Sequence, residues 1–155
     1  MMDAEKTLLQ ELLRQEETLQ FSKFSNATAL DLGLGIVHAA QRAGQAVMVD
    51  IRCGDLQLFQ HAMEGTTPDN TDWVRRKVNV VRRFAHSSFY MGTLYRSKGT
   101  DFDTATGLDP REYAAHGGAF PIYVRGAGII GTVTVSGLPQ ADDHALAVAV
   151  LQTML

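Results

Sequence analysis

The sequence predicts an α+β fold, a mostly antiparallel sheet with helices packed against it. Three observations carry this. Residues 46–63 and 120–135 each read as a β-hairpin, with turns at Gly54-Asp55 and at 125–128. Other stretches repeat their apolar residues at helical spacing. Helices and strands do not alternate singly, as they would in a parallel βαβ sheet. The 155 residues make one domain, 1–155. A chain of that length buries roughly 70% of its unfolded surface, so it needs no disulfide or metal staple.

The first helix is expected from about Asp3 to Thr18. Leu8, Leu9, Leu12, Leu13 and Leu19 make its apolar stripe, and Glu5, Lys6, Glu11, Arg14 and Glu16 its solvated side. Asn26 is placed as the N-cap of a second helix running to about Ala43. That helix is apolar nearly all round, with Asp31, His38 and Arg42 as its polar strip. In the first hairpin Cys53 is paired with Leu56. Asp50 then faces Phe59, and Met48 faces His61. Val47, Val49, Ile51, Leu58 and Ala62 line a core face. Met48, Asp50, Arg52, Gln57, Phe59, His61 and Met63 line the other. Cys53 reads as core.

A third helix runs from about Asn70 to Ala85, and the segment from Ser87 to Gly99 is left open. Residues 100–107 read as a loop, and Asp109 to about Ala115 as a short helix. The second hairpin joins Phe120–Val124 to Ile129–Val135. Asp142 caps a final apolar helix to about Thr153.

Composition bounds the function. At 45% hydrophobic and 20% charged the chain is an ordinary globular one, which excludes disorder and coiled coil. A net charge of −3 argues against nucleic acid as a partner. No apolar run reaches membrane-spanning length and no secretion signal is visible. A single cysteine builds neither a disulfide nor a thiolate metal site, and suits the cytoplasm.

Three groups of residues bear chemistry. On the third helix, Arg75, Arg76, Asn79, Arg82 and Arg83 form a basic face, either solvated or a docking surface. Lys77 lies within the opposite, apolar arc. It either snorkels outward along its stem or reaches a carboxylate or bound anion. Asp50 is the carboxylate we nominate. On the hairpin, Asp50 and His61 converge among Met48, Phe59 and Met63, an apolar surface with a few polar groups. A histidine beside methionines also offers the ligand types of haem iron. Third, the His116-Gly117-Gly118 turn offers backbone N–H groups to an anion, and Ser136, ahead of the last helix, offers a weaker version of the same signal. No nucleophile, base and orienting group come together, so binding is expected ahead of catalysis.

Three segments resemble a known family: 72–81 (DWVRRKVNVV), 117–122 (GGAFPI), and 131–139 (GTVTVSGLP) followed by Asp143-His144. They resemble the HbpS-like superfamily, the haem-degrading domain group that includes GlcG and the C-terminal domain of PduO, and within it a small stand-alone branch. The resemblance implies a profilin- or PAS-like sheet of about five strands with flanking helices. It also implies homo-oligomers, and for some relatives haem binding. Two functions are expected to compete: a homo-oligomeric protein binding haem or another planar or anionic small molecule, and an interaction module docking through its arginine face. Asp50, His61, Lys77, His116, Gly117, Gly118 and Ser136 are the expected ligand-binding residues.

Overall fold

The computed structural model describes residues 2–155. In chain order the elements are α1 (Met2–Thr18), β1 (Gln20–Phe21), α2 (Asn26–Arg42), β2 (Met48–Cys53) and β3 (Leu56–Ala62). There follow α3 (Pro68–Phe84), α4 (Ser88–Ser97), α5 (Phe102–Thr106), β4 (Ala119–Val124), β5 (Gly128–Ser136) and α6 (Gln140–Met154). The sheet order is β1-β4-β5-β2-β3. Among the described residues, only the β1–β4 pair is parallel. The mostly antiparallel α+β architecture is the one the sequence predicts, and five strands is the number the resemblance implies.

Strand alternation sends one set of side chains to each face. Val47, Val49, Ile51, Val133 and Val135 meet Leu32, Ile36, Ala147 and Leu151 of α2 and α6, and this is the main core. The opposite face carries Met48, Asp50, Thr132, Thr134 and Ser136, all buried, and α3 lies across it. The larger apolar residues of α2 and α6 are mostly taken up against each other and the sheet. Leu30 and Leu34 stay outside, 49% and 39% exposed.

Several expectations change. The segment left open at 88–97 is a helix, begun by Ser87, whose side chain accepts from the Tyr90 amide. The helix expected at 109–115 is a turn, while 102–106, read as loop, is helical with Asp101 as its cap. Asp109 spends its carboxylate on the Arg111 amide and side chain instead of starting a helix. Strand β1, two residues long, was not foreseen. Ser25 rather than Asn26 caps α2, and α6 starts at Gln140 rather than after Asp142. Cys53 is exposed.

Glu16 is not solvated. It is 3% exposed and accepts from His86 Nδ1 (2.8 Å), the Ser87 amide (3.1 Å) and the Tyr123 hydroxyl (3.0 Å). One carboxylate thus ties α1 to the α3–α4 junction and to β4.

The hairpin register also differs. Cys53 pairs with Leu56 and Arg52 with Gln57, but Ile51 then pairs with Phe59, so Leu58 is an extra residue. Beyond this bulge every β3 side chain changes face. Phe59 turns to the core, where its ring occupies the space a Cβ on Gly33 would need. Gln60 comes opposite Asp50, and His61 opposite Val49. Asp50 and His61 therefore lie on opposite faces of the sheet. No helix among the described residues is long and apolar enough to cross a membrane.

Candidate functional site

A cavity of about 330 Å³ opens where the first half of α3, the end of β5 and the first turn of α6 meet. Its construction starts at the α3 N-terminus. The Thr67 amide donates to Asn70 Oδ1 at 3.0 Å, and Asn70 Nδ2 donates to Ser136 Oγ at 3.1 Å. The side chain that caps the helix is thereby aimed at the end of β5. Lys77 lies seven residues on, two turns along the same helix face.

Lys77 does not snorkel. It is 3% exposed, and its Nζ donates to Val135 O and to Asp143 Oδ2, each at 3.1 Å. Asp143 in turn accepts from the Leu138 amide at 2.9 Å and the Gly137 amide at 3.4 Å. It sits in the first turn of α6, where the helix dipole favours a negative charge. Burial pulls the Lys77 amine below its ordinary pKa against the opposing pull of Asp143. Burial pushes Asp143 up, against the donors it accepts from. Both partners thus move toward neutrality. An ammonium has three N–H donors; two are used inside the protein, and the third has no acceptor among the described residues.

Gly118 makes room for this amine. Its φ is +140°, and a Cβ there would stand 2.6 Å from Lys77 Nζ and collide with Val135 O. The Gly117 amide is already used, donating to Gln140 Oε1 at 3.0 Å. His116 stands exposed at the rim with its ring edge-on to Trp73 at 5.3 Å between centroids. The protein crowding its inner side, and then the charge of Lys77, hold the imidazole below its ordinary pKa. Arg76 stacks on Trp73, 4.0 Å from the ring centre.

Of the expected ligand-binding residues, Lys77, His116 and Ser136 line this cavity, and Gly117 and Gly118 form the turn beside it. Asp50 and His61 do not. Asp50 is buried in a separate recess of about 290 Å³, held by Arg52 Nε at 2.9 Å and Gln57 Nε2 at 2.6 Å. His61 is exposed on β3. Asp143 is therefore the partner of Lys77, not Asp50. The arginine face is largely answered within the chain: Arg75 bonds Asp72 and Glu112, Arg76 bonds Asp72, and Arg82 bonds Asp55.

Asn70, Trp73, Gln140 and Asp143 are absent from the expected ligand-binding residues, although Trp73 and Asp143 fall within the segments that carry the resemblance. A lysine in an apolar arc announces a buried anion, but not which of 17 acidic residues supplies it. Asp143 is 66 positions away and comes into reach only through the topology.

The family model described as haem degrading protein HbpS-like matches residues 24–152. A UPF0303 protein of Streptomyces avermitilis is 48% identical over 98% of this chain and 93% of its own length. Another UPF0303 protein, from Serratia proteamaculans, is 46% identical over 95% and 91%. Among solved structures, the Ybr137w protein superposes with a TM-score of 0.85 at 36% identity, covering 94% of this chain and 86% of that one. HbpS (TM-score 0.66, 20% identity, 88% and 92% covered) and a PduOC–haem complex (0.70, 15%, 83% and 93%) share the fold.

Proposed function

Since the chain belongs to the haem degrading protein HbpS-like family, we propose that it is a small-ligand-binding protein whose site is the Lys77–Asp143 cavity. The observation that carries this reading is the buried ammonium at the cavity wall with one N–H donor left over. Leaving a buried donor without an acceptor costs about 1–3 kcal/mol, so a ligand oxygen placed there gains that much. Trp73 supplies an aromatic wall, while Asn70, Ser136, Gln140 and His116 supply polar contacts at its edges.

Haem is the group for which the family is named and which the PduOC–haem complex holds. The cavity's residues do not fit it. The floor is an ion pair, the walls are largely polar, and the volume is at the small end of ligand cavities. The one imidazole lining it lies edge-on to Trp73 instead of facing an apolar slot. A compact polar molecule with a carbonyl or carboxylate oxygen fits better.

Trp73 is the only tryptophan, so its emission reports on the site. Titration with small hydroxycarbonyl and carboxylate compounds, and separately with haem, is the test. Saturable change with a small compound, reduced in Lys77→Met, is expected. No response to any small compound, together with one-to-one haem binding and a Soret band, overturns the reading.

We further propose that the chain self-associates through the outer face of α2, where Leu30 and Leu34 stand one turn apart. Light scattering should give a mass of at least twice 16.9 kDa. Replacing both leucines with glutamate should lower it to the monomer.

A further inference from the structure

We propose that Lys77 is a nucleophile, forming an imine with a small neutral hydroxyaldehyde or hydroxyketone bound in this cavity, and that Asp143 is its proton partner. This deepens the ligand-binding reading above and rests on it. Three features of the geometry lead here. The amine is buried yet sits at a cavity wall. Its two protein contacts, Val135 O and Asp143 Oδ2, accept two N–H bonds and leave the remaining tetrahedral position of nitrogen free. Glycine at 118 keeps the space beside Nζ clear. A desolvated lysine is the usual amine nucleophile toward carbonyl compounds.

The step balances within the pair. Lys77 passes one proton to Asp143, giving a free amine and a carboxylic acid. The nitrogen lone pair forms a bond to the carbonyl carbon. The carbonyl oxygen gains a proton from the nitrogen, giving a neutral carbinolamine. Asp143 then protonates that hydroxyl, the C–O bond breaks, and water leaves. The products are a protonated imine on Lys77 and an Asp143 carboxylate. The charges are the same as at the start, so the buried site is never left with a net gain of charge, which a low-dielectric interior would resist.

The lining narrows the carbonyl compound. Asp69 and Asp143 set two carboxylates against one lysine, which disfavours a further negative charge on the ligand. Asn70, Ser136 and Gln140 are hydroxyl-binding side chains, and the Trp73 ring suits the C–H face of a short polyol.

Glycolaldehyde with cyanoborohydride tests this, since reduction fixes an imine as a stable adduct readable by mass spectrometry. The chain has four lysines, Lys6, Lys23, Lys77 and Lys98, so three serve as internal controls in the native protein. Lys77 should be labelled several-fold faster than the other three, because burial holds its amine toward the neutral form. Asp143→Asn should slow labelling of Lys77 alone. Lys77→Arg should remove that adduct while labelling of Lys6, Lys23 and Lys98 stays as in the native protein. If Lys77 is labelled no faster than the other three while Trp73 still responds saturably, the imine is overturned and the binding site stands. If neither labelling nor a Trp73 response occurs, both are overturned for this ligand class.

Discussion

His144 Nε2 lies 2.7 Å from Gln15 Oε1, joining the second turn of α6 to α1 across 129 positions. Its other ring nitrogen has no partner among the described residues, and the ring rests against Phe89 and Phe120. The neutral imidazole with its proton on Nε2 satisfies this arrangement. A charged ring would bury an N–H with no acceptor.

Burial lowers the folded-state pKa of His144 from 6.5 to about 4. The unfolded chain therefore binds a proton on this residue at a higher pH than the folded one. Above pH 6.5 the residue does not affect the pH dependence. Stability should fall as pH drops from about 6.5 to about 4, by about 3 kcal/mol in total, and change no further below that. Urea unfolding at successive pH values checks this. His144→Gln, which keeps an amide donor for Gln15, should flatten that part of the curve.

Lys77→Met removes the cation from a buried carboxylate. Asp143 keeps its two amide donors, so the cost should be about 3 kcal/mol, the lower end for breaking a buried pair. The double variant Lys77→Met, Asp143→Leu replaces the pair by apolar side chains and should recover most of that loss. Equal losses in the single and double variants would show that the pair is not coupled.

Gly118→Ala forces a side chain into a positive-φ position, against Val135 O and Lys77 Nζ. The strain alone costs about 1–3 kcal/mol, and the displaced amine adds to it. A lower melting temperature together with loss of the Trp73 response is expected. His61→Ala, on an exposed position across the sheet, should change neither.

Glu16→Leu strands His86, the Ser87 amide and the Tyr123 hydroxyl, three donors held by one buried carboxylate. The loss should be about 2–3 kcal/mol. Amide exchange should rise first in α1 and at the α4 N-terminus, before the sheet.

Much of the fold was legible because its elements carry plain periodicity. Val47, Val49 and Ile51 alternate, and Val74, Val78 and Val81 recur at helical spacing. The short pieces, β1 and α5, carry too few residues for any period to show. Glu16 misled because helical spacing places a side chain on a face without saying what later packs there. At the site, Lys77, His116, Ser136 and the two glycines were singled out by local oddity, a charge among valines and a glycine pair before a strand. The carboxylate, the aromatic wall and the Asn70 bridge have no local oddity. They become a group only when β5 brings α3 and α6 together.

The bulge at Leu58 behaves like a frameshift written in space. Upstream of it, odd and even positions of β3 report on one pair of faces; downstream, the assignment is exchanged. Deleting that one residue would make the ladder continuous and leave Phe59 opposite Ile51, Gln60 opposite Asp50 and His61 opposite Val49. Pairing Leu58 with Ile51 instead would carry Phe59 off its seat on Gly33 to a place opposite Asp50, with His61 opposite Met48. The outer half of the hairpin therefore owes its place in the α2 core to one residue that pairs with nothing.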